Sequence, residues 1–220
     1  MRIIYNINKF NQEKLNQVIS NDADIYIIPE LACPSMVQLP NGFDIKWTGE
    51  YDFKGLGVIY KSDLNCQIPD WYNEEHKYNI PLIINDKLIL AVWPTRTKSK
   101  TKDYPQIAME IIEEYCQHLK EYQTVISGDW NLYKGQSGET SKYSLEIIAK
   151  YLNDMGYVSA YHNLKNENIG NESQMTYYHL FNPNKPFFLD YTFINMPLKH
   201  YQLGSWDKDM SDHVPQIIEI

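Results

Sequence analysis

Two short polar motifs, each placed directly beside an apolar strand-like run, could carry out chemistry. Gly128-Asp129-Trp130-Asn131 follows the β-branched run 124–127, and Ser211-Asp212-His213 precedes an alternating apolar run that continues to the C-terminus. Carboxylates, an amide and an imidazole gathered at strand ends can hold a divalent cation and activate water. The motifs therefore predict a metal-assisted phosphate site, although either motif alone also fits an ordinary capped turn.

Asn6 and Glu30 extend this pattern at the start of the chain. Residues 2–6 and 24–29 read as strands and residues 11–20 as an amphipathic helix, with Pro29 expected to end the second strand's pairing. Strand ends are preferred positions for ligand-binding side chains, and amide and carboxylate oxygens suit a hard cation such as Mg²⁺. The alternative for Glu30 is a solvated loop acid or a helix-capping acid.

Asp190 interrupts an aromatic and β-branched strand predicted over residues 186–194. Burying a carboxylate without a partner is costly, so we expect Asp190 to be hydrogen-bonded, with a histidine as a plausible partner. The alternative is a structural acid that accepts backbone amides or pairs with a lysine.

Taken in order, these pieces resemble the motif series of the endonuclease/exonuclease/phosphatase superfamily, which includes DNase I-like nucleases and apurinic endonucleases. The resemblance covers nearly the whole chain, and it rests on Asn6, Glu30, the Gly128–Asn131 motif, Leu189-Asp190-Tyr191 and the Ser211–His213 motif. It implies an α/β (α+β) fold, a four-layer sandwich of two mostly antiparallel sheets flanked by helices. The site would lie at one end of the sheets.

The resemblance also implies a metal cofactor. Glu30 would be the main Mg²⁺ ligand, with Asp212 and Asn6 close by, and Mn²⁺ would be able to substitute. Several carboxylates would repel an anionic substrate without a cation, so the charges point to metal dependence as well.

By the same resemblance, four side chains would carry catalysis. Asp129 would orient or deprotonate the attacking water, and Asn131 would hold the phosphate or that water through its amide. His213 would contact the scissile phosphate, and Asp190 would fix the imidazole and favour its protonated form. Asn6 is included among the substrate contacts with Asn131 and His213.

The chain departs from the superfamily pattern at two points. Many relatives carry a His or Tyr at the end of the strand that here reads Leu88–Trp93, and Trp93 cannot supply the same chemistry. Arg96 or Tyr104, from the following loop, could bind the phosphate or the leaving group instead, unless Arg96 is a plain surface charge. Asn8 stands near where many relatives have an acid or amide, with an undetermined role.

Three further residues have two interpretations each. His162 and His179 could lie at the pocket rim, but a satisfied structural histidine is the ordinary alternative. Trp206 could stack on a base or wall the cleft, or it could anchor its loop against the sandwich.

The remaining periodicity supports a two-sheet architecture with flanking helices. Strand-like runs occur at 56–60, 80–84, 87–93 and 158–161, and amphipathic helices are predicted over 104–120 and 141–155. We assign these helical stripes to the core.

Composition predicts one domain spanning 1–220. The 220 residues are 43% hydrophobic, no internal repeat or linker composition occurs, and neither a membrane-spanning run nor a signal-like N-terminus is recognised. Three widely spaced cysteines argue against a disulfide framework and a zinc cluster, so a cytoplasmic location is expected.

The net charge affects whether nucleic acid is expected as the partner. A charge of −8 is unfavourable for nonspecific duplex binding, but residues 95–102 carry four basic side chains on a loop that could overhang the strand ends. That loop could equally be a solvated charge run.

The predicted activity is that of an Mg²⁺-dependent phosphodiesterase, with a nuclease acting on DNA or RNA as the first hypothesis. The second is a phosphatase or phosphodiesterase of small sugar, nucleotide or lipid phosphates, and the third is an inactive binding module with the same fold. Endonuclease or exonuclease action, lesion preference and oligomeric state are left open by the sequence.

Overall fold

Two six-stranded sheets and one two-stranded ribbon form the β-structure of residues 2–99 and 101–220, the part of the chain that the computed structural model describes. The strands are β1 Arg2–Ile4, β2 Ile25–Leu31, β3 Phe43–Tyr51, β4 Lys54–Lys61, β5 Cys66–Gln67, β6 Asn79–Ile84, β7 Lys87–Val92, β8 Gln123–Asp129, β9 Val158–Ser159, β10 Tyr177–Tyr178, β11 Pro186–Phe187, β12 Asp190–Ile194, β13 His200–Leu203 and β14 Gln216–Glu219.

Both large sheets are mostly antiparallel, as the resemblance implied. The first has the order β13-β14-β1-β2-β4-β3, and the second has the order β5-β6-β7-β8-β12-β9. Among the described strands, each sheet has one parallel pair, β1 with β2 and β7 with β8. Parallel neighbours end on the same side of a sheet. The segments that follow β1 and β2 therefore lie side by side, and so do the segments that follow β7 and β8.

The hydrophobic core lies between the sheets. Ile25 and Ile27 of β2 belong to the same buried cluster as Leu82 and Ile126 of the second sheet. The alternate residues of β2 belong to a second cluster, which includes Leu15 of helix α1, Gln12–Ile19. Because successive strand residues point to opposite faces, the first sheet is covered on both sides. The complete four-layer order stays a prediction.

Two of the described helices, the first and the one after residue 144, begin at a side-chain cap. The side chain of Asn11 accepts from the amides of Glu13 and Lys14 at the start of α1, and the Ser144 hydroxyl accepts from the amide of Ile147. The helix that Ser144 caps is α4, Leu145–Asp154. The others are α2 Tyr104–Tyr115, α3 His118–Glu121 and α5 Ala160–Lys165.

Three predicted boundaries were wrong. The run 158–161 is a strand only over its first two residues before α5 begins, since so short an apolar run does not distinguish strand from helix. The helix predicted over 104–120 is divided into α2 and α3. The strand predicted over 186–194 is divided into β11, which pairs with β10, and β12, which pairs with β8. Between them, the Leu189 amide donates to the Thr176 hydroxyl and not to a neighbouring strand.

Pro29 does not end the pairing of β2. The strand continues to Leu31, and its register against β4 shifts between Pro29 and Leu31. Glu30 is the inserted residue and has a left-handed backbone with φ of 63°. A bulge tolerates a proline and aims the extra side chain away from the regular alternation, which here places Glu30 in the site described below.

Gly128 is required by a close backbone approach. A Cβ atom at this position would lie 1.8 Å from the carbonyl oxygen of Val92 on the neighbouring strand β7. Gly128→Ala is therefore expected to lower the free energy of unfolding by about 3 kcal/mol or more, measured by urea denaturation. Gly135→Ala is the control, because Gly135 has positive φ but open space around it. It should cost about 1 kcal/mol from backbone strain alone, and equal losses would contradict the steric argument.

None of the helices in the described part of the chain is both long and apolar enough to cross a membrane.

Candidate active site

One cavity of about 270 Å³ gathers residues from both sheets. It lies beyond the carboxyl ends of β1, β2 and β8, beside the start of β12 and the loop before β14. Its lining residues are Asn6, Glu30, Arg96, Tyr104, Asp129, Asn131, Tyr133, Gln136, Ser137, Tyr177, Leu189, Asp212 and His213. The structure thus brings together every residue predicted for the site, with Asp190 directly behind His213.

Four polar side chains lie in a row along the floor of this cavity, joined by two hydrogen bonds and one longer ion-pair contact. The Nδ1 atom of His213 is 2.9 Å from Oδ2 of Asp190, and its Nε2 atom is 3.9 Å from Oδ2 of Asp129. Asn6 donates its Nδ2–H to the same Asp129 oxygen at 2.8 Å. All four residues are buried, so these contacts are shielded from competing water.

Backbone and hydroxyl contacts hold this arrangement in place. Asp129 and Asp190 are paired across the antiparallel β8–β12 ladder. The Ser211 hydroxyl donates to the Asn6 carbonyl at 2.6 Å and accepts the His213 amide at 3.0 Å. Ser211 therefore joins the loop before β14 to the end of β1, which explains why a serine precedes Asp212 in the motif.

The buried charges shift one another's protonation. Burial raises the pKa of Asp129 to about 7, against the lowering effect of the nearby His213 charge. Burial by itself would lower the pKa of His213, but the Asp190 and Asp129 carboxylates outweigh it and raise that pKa to about 9. At neutral pH the imidazole is therefore a cation and Asp129 is poised to exchange a proton.

The donor set beside this row of side chains fits a hard cation. Oδ1 of Asp212 is buried and has no hydrogen-bond partner among the described residues, which is costly unless something else neutralises it. Glu30 is partly buried, accepts the Lys9 amide at 3.0 Å and lies 3.4 Å from the Lys54 ammonium. Two carboxylates in one cavity supply the oxygen ligands that Mg²⁺ prefers.

Asp129, Asp190 and His213 also have ligand-type atoms within 4.8 Å of one another. Such a group could in principle hold a metal. Here, however, the Nδ1 of His213 is engaged by Asp190, and the raised pKa of His213 keeps its second nitrogen protonated. We interpret this group as an acid–imidazolium–acid unit and not as the metal ligands.

Asn131 joins two loops at the edge of the cavity. Its amide N–H donates to Oδ1 of Asp129 at 3.0 Å, and its side-chain Nδ2 donates to the Pro94 carbonyl at 3.1 Å. It has a left-handed backbone with φ of 53°, a conformation that asparagine tolerates. The side chain is thereby fixed between β8 and the segment after β7.

Trp93 is a core residue, whereas Arg96 and Tyr104 reach the cavity. Trp93 is buried and packs edge-on against Tyr78, with ring centroids 5.3 Å apart. Arg96 forms an ion pair with Asp103, and its guanidinium lies 5.1 Å from the centroid of the Tyr104 ring. Arg96 and Tyr104 thus stand where substitutes for the usual His or Tyr were expected. Lys100, part of the same basic loop, lies outside the described residues.

Tyr177 is a site residue that the sequence did not reveal. Its ring centroid lies 4.7 Å from that of His213, and the two residues form an isolated antiparallel bridge. Burial raises the pKa of Tyr177 to about 12, so its hydroxyl stays protonated at neutral pH and can donate a hydrogen bond. The only signal was the aromatic pair Tyr177-Tyr178 in a stretch otherwise typical of a loop.

The structure decides between the two interpretations of His162 and of Trp206. His162 is bonded to Ser159 at 2.7 Å and to Glu172 at 3.0 Å, away from the cavity, which is the structural alternative. Trp206 stacks on Tyr178 at 4.0 Å and donates its indole N–H to the Ser211 carbonyl, so it anchors its loop.

Two others lie next to site residues. The Nδ1 atom of His179 is 3.0 Å from the Tyr177 hydroxyl. His179 is not one of the described residues that line the cavity. Asn8 acts through its backbone, because its amide donates to Oδ1 of Asn6 at 2.9 Å.

No protein-family model and no curated protein sequence matches this chain. Solved structures do. NExo, a 3′ phosphatase from Neisseria bound to a product DNA hairpin, is 16% identical with a TM-score of 0.71, and 99% of this chain and 98% of that one are covered. An AP endonuclease from Archaeoglobus fulgidus is 14% identical with a TM-score of 0.68, covering 100% and 99%.

The endonuclease domain of TRAS1, a telomere-specific non-LTR retrotransposon, gives 12% identity and a TM-score of 0.67, with 100% and 97% of the chains covered. At these identities the likeness defines the fold. The chain therefore has the same fold as these three structures, as the resemblance implied.

Proposed function

We propose that this protein is an Mg²⁺-dependent phosphodiester hydrolase that cleaves nucleic acid. The observation that carries the proposal is the buried row Asn6–Asp129–His213–Asp190, which faces the same cavity as the unpartnered oxygen of Asp212. A base, a cation and a separate metal-ligand oxygen within one cavity are the parts that phosphodiester hydrolysis needs.

Glu30 and Asp212 would hold the metal, with Asn6 at its edge, and Mn²⁺ would be able to replace Mg²⁺. Bound Mg²⁺ supplies charge neutralisation at the phosphoryl oxygens and orients the substrate. The Lys54 ammonium lies 3.4 Å from the Glu30 carboxylate, and the position of a positive charge beside this acid supports the assignment.

Asp129 would take the proton of the attacking water. Its ionised form accepts hydrogen bonds from the Asn6 side chain and the Asn131 amide, which hold the carboxylate in one orientation. The His213 imidazolium would donate to a phosphoryl oxygen, and Asp190 would keep it protonated and aligned. Asn131 and Arg96 would contact the phosphate from the loops.

The solved structures of this fold support nucleic acid as the substrate class. The Neisseria phosphatase is seen with a DNA hairpin, and the others are named as an AP endonuclease and as the endonuclease domain of a retrotransposon. We place the present chain with them as a single nuclease domain over 1–220. Its widely spaced cysteines, of odd number, are consistent with our proposal of a cytoplasmic location.

The direct test is incubation of the purified protein with DNA, RNA and bis-p-nitrophenyl phosphate, with Mg²⁺ or Mn²⁺ and then with excess EDTA. Cleavage of nucleic acid with either metal, lost in EDTA and restored by added Mg²⁺, is expected. Activity that persists in EDTA would rule out the metal-dependent mechanism.

Glu30→Gln and Asp212→Asn are each expected to weaken divalent metal binding by about 10- to 100-fold or more, because each removes a charged oxygen ligand. Binding can be measured without substrate by titration calorimetry with Mn²⁺. Glu219→Gln, which changes an exposed acid of β14, is the control. Unchanged affinity in either variant would remove that residue from the metal site.

A phosphatase or phosphodiesterase of small esters is the second candidate, and the net charge of −8 favours it. Binding of a polymeric substrate should weaken steeply with salt because many phosphate contacts release counterions, whereas binding of a small ester should not. Metal binding without turnover of any substrate would instead identify a binding module.

A further inference from the structure

An exposed aromatic pair lies at the turn between β3 and β4. Tyr51 is 41% exposed and Phe53 is 62% exposed, and their ring centroids are 5.4 Å apart with an angle of 35° between the planes. The exposed parts of these two rings contribute no burial energy to the fold. Their surface is available for a ligand.

A cation is held against this pair. The Lys98 ammonium lies 4.6 Å from the centroid of the Tyr51 ring, and the Lys98 amide donates to Oε2 of Glu50 at 2.7 Å. The Glu50 carboxylate is therefore occupied by the loop that carries Lys98. This leaves an exposed ammonium beside two exposed rings, a combination suited to an anionic ligand with flat apolar faces.

The pair is also tied to the proposed active site from two sides. Lys54, the residue after Phe53, lies 3.4 Å from Glu30. Lys98 is two residues from Arg96, which lines the cavity. A nucleic acid strand that leaves the cavity past Glu30 and crosses the turn between β3 and β4 would therefore meet the two rings.

We propose that Tyr51, Phe53 and Lys98 form a stacking platform for an unpaired nucleotide of the substrate strand. The platform deepens the proposed function and rests on it. Bases stack on exposed rings whatever their sequence, while lysine binds the backbone phosphate. Within a duplex the base faces are covered by their neighbours, so the platform selects single strands, overhangs or frayed ends.

A nucleic acid strand fits this surface better than a second copy of the chain. A lysine beside the rings would add little to a purely apolar contact between copies, whereas it pairs directly with a phosphate. Asp52 lies on the same turn, which makes this a mixed surface and not a plain basic patch.

The test is the binding of a short fluorescein-labelled DNA strand, measured by anisotropy in EDTA, where no cutting is expected. Phe53→Ala should weaken binding of the single strand by about 5- to 100-fold and should change binding of a blunt duplex of the same sequence much less. Lys98→Met should lower the slope of log affinity against log salt by about 0.7. The controls are Leu164→Ala and Lys165→Met on α5, both exposed and outside the described lining of the cavity.

With Mg²⁺, Phe53→Ala should raise the KM for DNA and leave turnover of bis-p-nitrophenyl phosphate unchanged. Wild-type affinity for the single strand in Phe53→Ala would overturn the platform. So would a wild-type dimer in sedimentation that this variant dissociates, since the rings would then be a self-association surface. If the wild type hydrolyses no substrate, the proposed function fails, while the binding measurement still decides the platform.

Discussion

Asp129→Asn is expected to lower kcat for a phosphodiester by about 10²- to 10⁴-fold, the usual contribution of a positioned general base. Asparagine can still accept the Asn131 amide, which is 3.0 Å from the carboxylate in the wild type. It cannot take a proton from water. The substitution therefore removes the proposed chemistry and keeps the Asn131 contact. Its amide nitrogen would face the Nδ2–H that Asn6 donates to the carboxylate in the wild type, so that hydrogen bond is lost.

The same variant should fold at least as well as the wild type near neutral pH. Burial raises the pKa of Asp129 from 3.8 to about 7, so keeping it ionised costs folding free energy once the pH exceeds the unfolded value. A neutral amide removes that cost. A thermal melt at pH 8 should show an unchanged or higher Tm.

Asp154→Asn is the matched control, since Asp154 is exposed at the end of α4. It should leave kcat unchanged. If Asp129→Asn retains wild-type kcat with Mg²⁺, Asp129 is not the base. His213→Ala should lose activity to a similar extent, and the double variant should lose far less than the product of the two effects, because the residues act as one unit.

Asp190→Asn is expected to change the pH dependence of activity as well as its size. In the proposed mechanism Asp129 acts as a base when ionised, so activity should rise as the pH passes about 7. His213 is useful when protonated, so activity should fall as the pH passes about 9. The wild-type profile should be bell-shaped, with both limbs moved to lower pH by the charge of the bound cation.

Removing the Asp190 charge lowers the pKa of His213, because that carboxylate is the largest of the groups that raise it. The alkaline limb of kcat/KM should therefore move to lower pH in Asp190→Asn, and kcat should fall by about 10²-fold or more. The acid limb should also move to lower pH, because Asp190 raises the pKa of Asp129.

The control is Glu121→Gln, which removes an exposed acid beside His118. Its profile should match that of the wild type. An alkaline limb that stays in place in Asp190→Asn would show that His213 protonation does not govern the reaction. Asp190→Glu, which restores the charge at a different distance, should recover part of the shift even where kcat stays low.

Sequence alone predicted the residues of the site because most of them stand at the ends of short apolar runs. The β-branched run before Asp129 predicts that this acid stands at the end of a strand. Asp190 is predicted within a strand over 186–194, whereas it is the first residue of β12. The need of a buried acid for a partner predicted the contact of Asp190 with a histidine, and the structure has it at 2.9 Å.

Other features depend on contacts between distant parts of the chain. The bulge at Glu30 depends on how β2 pairs with β4. From the sequence, Pro29 predicted the end of the strand's pairing instead. Tyr177 reaches the site because Thr176 captures two amides near Asp190. No local pattern encodes either event, since both are set by pairing partners that are remote in sequence.

The bond between Asn6 and Asp129 spans 123 residues and joins the edges of the two sheets. Asn6 follows β1 of the first sheet, and Asp129 is the last residue of β8 in the second sheet. Each sheet can complete its own ladder while the base still lacks its orienting amide, so native secondary structure can precede a competent site. During refolding, recovery of turnover should therefore lag behind recovery of the far-ultraviolet circular dichroism and report the docking of one sheet on the other.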